Sequence, residues 1–153
     1  MDQLIEALLR SPSSRSLNPW EFIFVTDQKL LTLLSEAKPH GSSFLKDAPL
    51  GIVVCADPQK SDVWIEDSAI SAIIGQLTAE SLELGSCWIQ IRERLYSKEK
   101  TAEDYIKACL DIPAHMKIES VIAVGYPNEN KSPHPKGTLD FHKIHYNHYT
   151  MTA

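Results

Sequence analysis

The chain has 153 residues, of which 43% are hydrophobic and 23% are charged, and its formal net charge is -5. This composition is typical of a folded domain with its own core and excludes a disordered chain. The 15 basic residues form no cluster, which argues against a nucleic-acid interface. No apolar run reaches the ~18 residues of a membrane span, and the N-terminus lacks a secretion signal pattern. We therefore expect one domain over residues 1–153, with no nucleic-acid or membrane partner.

The three cysteines, Cys55, Cys87 and Cys109, are dispersed along the chain and form no C-x-x-C pair. An odd, scattered set within apolar segments is typical of reduced thiols in a reducing compartment. The cytoplasm is therefore the expected location. A catalytic thiol stays an alternative, although no Cys–His pairing supports it.

Apolar spacing and turn residues predict the elements of the first third of the chain. Apolar residues recur at helical spacing over residues 4–9, and Pro12 ends this helix. The aromatic and β-branched run at 20–26 predicts a strand, and Asp27 can cap a second helix that is rich in leucine. Residues 50–56 are continuously apolar, which predicts a strand that is covered on both faces.

The longest predicted helix covers residues 62–84. No charged residue lies between Asp67 and Glu80, whereas a helix at the edge of a small monomer normally has a charged outer face. We therefore expect burial on both sides, either as the central helix of one chain or against a second subunit. Gly85 is predicted to end the helix as its left-handed cap. The apolar stripe of this helix consists of Ile65, Ala69, Ile70, Ile73, Ile74 and Leu77.

The second half of the chain adds two strands, a helix and a polar tail. Residues 87–91 and 120–124 are predicted strands, and Thr101 begins a capping box for a helix that ends near residue 110. From residue 128 onward the sequence is polar and aperiodic, so this tail cannot form a core and is expected to wrap over another surface. The irregular order of helices and strands favours an α+β fold.

No standard motif for phosphate binding or side-chain catalysis is present. The sequence contains neither G-x-G-x-x-G nor G-x-x-x-x-G-K-[ST], and no paired carboxylates or nucleophile elbow stand out. His142, His145 and His148 recur every three residues and could hold a metal on a helix, but a polar tail of this kind is more often only solvated. A cofactor is therefore expected to supply the chemistry if the protein is an enzyme.

Two segments with special backbone requirements are the candidate binding sites. Residues 11–20 combine hydroxyls, N–H groups and Arg15 into a cradle for an anion, although a serine- and proline-rich turn anchored by a buried tryptophan explains the same residues. At residues 84–88, Gly85 would let a backbone N–H approach a planar ligand, and simple helix termination is the alternative.

Taken in order, these segments resemble the FMN-dependent nitroreductase family over nearly the whole chain. Residues 11–20 resemble its P-S-x-x-N-x-Q-P-W region, with Ser16 at the asparagine position and Asn18 at the glutamine position. Residues 84–88 resemble its G-L-G-S-C-W stretch, with Glu83 in place of the first glycine. The pattern is completed by the segments 45–49, 112–113 and 121–127 and by Pro135-Lys136.

The resemblance implies a nitroreductase-like α+β fold in which helices flank a central mixed β-sheet and a homodimer holds FMN at its interface. It implies ping-pong hydride transfer from NADH or NADPH through FMN to nitro compounds, quinones or similar small acceptors, with no catalytic side chain assigned. By position, Gly85 faces the flavin ring and Lys136 lies near the FMN phosphate. The uncharged helix becomes the dimer seam, and the tail 128–153 wraps the partner subunit. The resemblance also implies that the flavin is lined from one subunit by Pro12, Ser13, Ser14 and Arg15.

One departure from the family pattern bears on activity. Members generally begin with an Arg-Arg-Ser-x-Arg arm whose arginines hold the phosphate, whereas this sequence begins at Met1. The resemblance therefore implies weaker FMN binding. The positive charges of Arg15, Lys131 and Lys136 would partly offset the loss of the arginines. By the same resemblance, Glu83 would place a carboxylate near the flavin edge. A degenerate homodimer with weak or no FMN binding and no reductase activity is the alternative. A third hypothesis is a flavin enzyme that catalyses a different reaction, such as dehalogenation or ring cleavage.

Overall fold

The structure is a computed structural model that describes residues 1–149. Within that range the helices are α1 (Asp2–Leu9), α2 (Gln28–Ser35), α3 (Trp64–Ser81) and α4 (Ala102–Leu110). The strands are β1 (Trp20–Val25), β2 (Leu50–Ala56), β3 (Gly85–Gln90) and β4 (Lys117–Gly125). No helix of this range is long and apolar enough to cross a lipid bilayer.

Most of the predicted elements are confirmed, together with two of their caps. Strand β2 has the predicted bounds, and α1, β1 and α4 differ from theirs by one or two residues. The Asp27 carboxylate accepts bonds from the N–H groups of Lys29 and Leu30 at 2.8 and 3.0 Å and so caps α2. The Thr101 hydroxyl accepts a bond from the Asp104 N–H at 3.0 Å and caps α4.

The strands form one sheet in the order β1-β2-β4-β3. The α+β class is confirmed, but the sheet is antiparallel in every pairing formed by residues 1–149 rather than mixed. The reason is the position of β4. Helix α3 carries the chain from β2 to β3, which run in the same direction, and β4 is inserted between them. The two parallel strands therefore never become hydrogen-bonded neighbours.

Helices cover both faces of this sheet. Alternate residues of β2 point to opposite sides, so that Val53 and Cys55 join the core under α2 and α4. Ile52 and Val54 join the core under α1 and α3. All seven residues of β2 are buried, as the continuous apolar run predicts.

Helix α3 packs on the sheet through its small residues rather than its large ones. The packing of α3 against α1 is also close, because a Cβ at Gly75 would lie 3.0 Å from Leu8 Cδ2 of α1. Ile70, Ile73 and Leu77 point outward and are 41%, 48% and 63% exposed. The interpretation of α3 as the central helix of one chain is therefore wrong, and burial against a second subunit stays a prediction. The buried residues of α3 are Asp67, Ser68, Ser71, Ala72, Gly75 and Ala79.

The C-terminal end of α3 also differs from the expectation. Gly85 is not the left-handed cap but the first residue of β3, and the left-handed residue is Glu83, with a φ of 60°. The Leu84 N–H donates to the Ala79 carbonyl at 2.9 Å, and the Glu83 N–H donates to the Glu80 carbonyl at 3.0 Å. These are the two bonds of a Schellman motif, whose left-handed position comes directly after the C-cap. A glycine two residues later comes too late to occupy it.

The tail leaves the sheet after β4 and stays exposed over most of residues 128–149. It contains two short 3-10 turns, Lys136–Thr138 and Phe141–Lys143. The aromatic side chains of Tyr146 and Tyr149 are also exposed. The last four residues of the predicted tail, 150–153, lie outside the described residues. That the tail wraps a partner subunit stays a prediction.

Replacing Glu83 by glycine is expected to stabilise the protein by about 1 kcal/mol, because only glycine adopts the left-handed conformation without a steric cost. The free energy of unfolding in urea measures the effect. Glu80→Gly is the matched control, since Glu80 is also exposed but lies inside α3. This control should lose about 1 kcal/mol. A loss of stability in Glu83→Gly would contradict the assignment of backbone strain to this residue.

Candidate functional site

The predicted binding segment forms a hydrogen-bonded loop with an unusual backbone. Arg15, Ser16 and Asn18 have positive φ values of 53°, 56° and 46°, in the left-handed region that residues with side chains rarely occupy. The Ser13 hydroxyl closes the loop, because it accepts a bond from the Asn18 N–H at 2.9 Å and donates to Asn18 Oδ1 at 2.7 Å. Strained residues of this kind cluster at functional sites. The backbone therefore favours a binding loop over a simple turn.

A buried carboxylate that the sequence analysis did not assign holds this loop in place. Asp67 lies in the first turn of α3 and is 2% exposed. Its Oδ1 accepts a bond from the Ser14 N–H at 2.7 Å, and its Oδ2 accepts a bond from the Ser61 hydroxyl at 3.0 Å. The sequence places an acid in the first turn of a helix, which is common, and gives no sign that its partner is 53 residues away.

Several polar groups of the loop remain available to a ligand. The Ser14 hydroxyl makes no hydrogen bond with any of the residues 1–149. Pro12, two residues earlier in the loop, is exposed. The Arg15 guanidinium pairs with the Asp62 carboxylate, and both side chains are exposed. Exposed ion pairs contribute little free energy. An anionic ligand can therefore take the place of Asp62 at small cost.

Gly85 lies at the other end of α3, in the wall of a cavity of about 430 Å³. Cys87 and Tyr126 also line this cavity. A Cβ built on Gly85 would make only ordinary contacts, the nearest at 3.5 Å from Pro127 Cβ, so packing within the chain does not require glycine there. Because Gly85 lines the cavity without a side chain, a planar ligand in the cavity can approach its backbone.

Within one chain, the predicted cofactor residues do not form one site. The loop that contains Ser14 is bonded to Asp67 at the start of α3, whereas Gly85 follows the end of α3 at Ser81. The helix rises by about 21 Å between residues 67 and 81, at 1.5 Å per residue. Lys136 belongs to the exposed tail, and its ammonium group has no hydrogen-bond or ion-pair partner in the described part of the chain. Pro12 to Arg15 thus lie in the loop at the start of α3, Gly85 lies beyond the other end of α3, and Lys136 lies in the exposed tail.

Strand β4 carries a buried acid close to the start of α3. Glu119 is 5% exposed and lies where the pairing of β4 with β2 shifts register. Burial raises the pKa of its carboxyl, while the Gln90 amide and the Arg92 guanidinium act in the opposite direction. The carboxylates of Glu93 and Glu66 raise this pKa further. The sequence places Glu119 just before a predicted strand, where an acid is ordinarily solvated, so no signal marked it.

The histidines of the tail do not form a metal site in the described structure. Their spacing brings three ligands together only on a helix, and the tail is helical only in its two short 3-10 turns up to residue 149. Among residues 1–149, no three His, Cys, Asp or Glu side chains are grouped so that they could hold a metal ion.

Replacing Asp67 by alanine is expected to lower the free energy of unfolding by about 2 kcal/mol, because the Ser14 N–H and the Ser61 hydroxyl lose their buried acceptor. Hydrogen exchange at the Ser14 amide should accelerate in the same variant. Asp62→Ala is the control, since its exposed ion pair contributes less than ~1 kcal/mol. Equal stability of both variants would show that Asp67 does not hold the loop.

Glu119 is expected to make stability depend on pH. A carboxyl with a raised pKa in the folded state holds its proton more tightly there than in the unfolded chain. This tighter proton binding stabilises the folded state at low pH. The stabilisation is lost as pH rises above 4.5, the ordinary pKa of a glutamate carboxyl, and through the higher pKa of the folded state. Glu119→Gln should therefore gain stability relative to the parent protein as pH rises through this window, measured by thermal unfolding. The exposed control Glu80→Gln should show no such trend, and a parallel shift of both would contradict the assignment.

The chain is similar in sequence to known proteins over most of its length. No protein-family model matches the chain. A protein of Methanothermobacter thermautotrophicus (strain Delta H) named "Putative NADH dehydrogenase/NAD(P)H nitroreductase" is 34% identical over 148 residues, which are 95% of this chain and 73% of that protein. A protein of the same name from Archaeoglobus fulgidus is 33% identical over 135 residues, which are 86% of this chain and 74% of that protein.

The fold is shared as well. An FMN-dependent nitroreductase from Clostridium difficile R20291 superimposes with a TM-score of 0.95 and 44% sequence identity, over 97% of this chain and 86% of that one. Identity above 30% along nearly all of the chain, with the same fold, is a relationship by descent rather than a coincidence of architecture. On this evidence the chain belongs to the nitroreductase family.

Proposed function

We propose that the protein is an FMN-dependent NAD(P)H oxidoreductase of nitroreductase type, which works as a homodimer and reduces nitro compounds, quinones or similar small acceptors. The observation that carries this proposal is the 44% identity and the TM-score of 0.95 to the FMN-dependent nitroreductase from Clostridium difficile. The archaeal relatives, whose name includes NAD(P)H nitroreductase, support the reductant. These relatives do not favour the alternative of a degenerate, inactive protein.

The outer face of α3 supports the homodimer. Ile70, Ile73 and Leu77 of α3 are exposed, and so are Ile5 and Leu9 of the adjacent α1. Contiguous exposed apolar surface marks an interaction site. In a symmetric pair the same face meets its own copy, so α3 of one chain packs on α3 of the other.

Antiparallel packing of the two α3 helices would join the halves of the site. When the two-fold axis crosses the helices, the start of one α3 lies beside the end of the other. The loop bonded to the start of α3 then faces Gly85 of the second chain. Gly85 of its own chain remains about 21 Å away, at the other end of α3. In this arrangement Pro12, Ser13, Ser14 and Arg15 line FMN from one subunit and Gly85 approaches it from the other.

The groups present fit FMN, which carries a phosphate, a hydroxylated chain and a planar ring. The guanidinium of Arg15 and the ammonium of Lys136 provide positive charge for the phosphate. The Ser14 hydroxyl is free to bond the hydroxylated chain or the ring, and the backbone of Gly85, which lines the cavity, is accessible to the ring. When bound, FMN supplies the hydride transfer between NAD(P)H and the acceptor, while the protein binds and orients the reactants.

The domain organisation and the cellular location belong to the same proposal. Residues 1–153 form one domain whose tail, from residue 128 onward, wraps the partner subunit. The exposed side chains of Phe141, Tyr146 and Tyr149 support this arrangement because apolar surface of this size is normally covered. The proposed location is the cytoplasm, which the free thiols of all three cysteines support.

A mixed dimer tests whether each flavin site is built from two chains. Arg15→Glu repels the phosphate, and Gly85→Val fills the space for the ring, so each variant alone should bind FMN at least tenfold more weakly. When the two variants are co-expressed with different tags and purified through both, one of the two sites contains both wild-type halves. The mixed dimer should therefore bind about one FMN with wild-type affinity, measured by fluorescence titration.

Controls separate this result from a loss of folding. Lys29→Glu reverses an exposed charge on α2, on the other side of the sheet, and should bind FMN like the parent protein. Each variant should also keep the parent circular dichroism spectrum. A mixed dimer that binds no FMN would place both halves of the site in one chain. Parent-like affinity in both single variants would show that these residues do not contact the flavin.

A further inference from the structure

Three buried oxygen atoms between α3 and the sheet have no hydrogen-bond partner among residues 1–149. They are the hydroxyl oxygens of Ser68 and Ser120 and one carboxyl oxygen of Glu119. Ser68 and Ser120 are fully buried, and Glu119 is nearly so. A fourth such atom, Trp20 Nε1, lies on β1, two strands away from β4, and does not belong to this group.

The strand register places Ser120 and Glu119 side by side under α3. Ser120 pairs with Val54 on one side and with Gln90 on the other. Val54 belongs to the core under α3, so Ser120 points to the same side. Glu119 occupies the adjacent irregular position, and its carboxyl interacts with Gln90 of β3 and with Glu66 of α3. The Ser120 hydroxyl and the Glu119 carboxyl therefore both face α3.

The spacing of α3 places Ser68 opposite them. Ser68, Ala72 and Ala79 share the face that meets the sheet, and the Ala79 carbonyl is bonded to Leu84, just before the start of β3. From residue 79 back to residue 68 the helix rises about 16 Å. From Gly85 to Gln90 strand β3 rises about 17 Å. Ser68 and the row that contains Gln90 and Ser120 thus lie at a similar distance from the turn that joins α3 to β3.

We propose that ordered water lies between Ser68, Ser120 and Glu119 and bonds to all three side chains. Buried polar groups without a protein partner are rare in folded proteins, and internal water typically makes about three bonds to such groups. Each hydroxyl can donate or accept, so a single water molecule satisfies the three oxygens. The inference concerns the interior of one chain and does not depend on the proposed function.

The electrostatics of Glu119 agree with a water site. Burial, Glu66 and Glu93 favour the protonated carboxyl, which can donate to a water oxygen, while Gln90 and Arg92 oppose this. Water and hydroxyl groups beside this carboxyl supply the hydrogen bonds that a buried polar group requires.

A crystal structure at a resolution that shows internal water tests the site directly. The expected result is a water oxygen within about 2.6–3.2 Å of Ser68 Oγ, Ser120 Oγ and one carboxyl oxygen of Glu119. Direct bonds of both hydroxyls to protein atoms, with no solvent density between them, would overturn the proposal.

A double-mutant cycle tests the same site in solution. Ser68→Ala and Ser120→Ala should each lower the urea midpoint of unfolding, and the double variant should lose less than the sum, because both residues bind the same water. Ser71→Ala is the control: its buried hydroxyl already donates to the Ser68 carbonyl at 2.8 Å, so it should be additive with Ser120→Ala. An unchanged or higher midpoint in Ser120→Ala, or additive losses in the cycle, would contradict a shared water.

Discussion

The inner face of α3, which is built mostly from small residues, is the constraint on which the rest of the structure depends. The buried residues of α3 are mostly small, and at Gly75 a Cβ would lie 3.0 Å from Leu8 Cδ2 of α1. The large side chains of α3 must therefore point away from the core, where Ile70, Ile73 and Leu77 remain exposed. A helix that buries its small face and exposes its apolar face is incomplete in one chain. The proposed homodimer follows from this packing as much as from the family.

The same helix separates the two halves of the proposed flavin site. Its first turn contains Asp67, which bonds to the strained loop at Ser14, and its last turn leads through Glu83 into β3 and Gly85. One rigid element thus fixes both halves at a distance of about 21 Å. A single chain cannot close that distance without breaking α3, whereas in the proposed homodimer a second chain closes it by symmetry. Dimerisation and cofactor binding are in this view one property of α3.

Local signals in the sequence predicted the elements and two helix caps, because an N-cap or a continuously apolar strand is decided by near neighbours. They did not predict which face of α3 is buried. Large apolar residues indicate burial but not the partner, and the small residues at positions 68, 72 and 79 were the signal that could have identified the inner face. The role of Asp67 depends on a contact across 53 residues, which no local pattern contains. Glu83 occupies a position where glycine is preferred, so a rule based on glycine selected Gly85 instead.

Sedimentation velocity recorded at both the protein and the flavin absorbance tests the central claim most directly. The purified protein is mixed with FMN and diluted stepwise until the dimer dissociates. If each site consists of two chains, the flavin absorbance sediments only with the dimer, at about one FMN per chain, and is released as the monomer forms. Flavin that sediments with the monomer, or a dimer that carries no flavin at saturating FMN, would contradict the account.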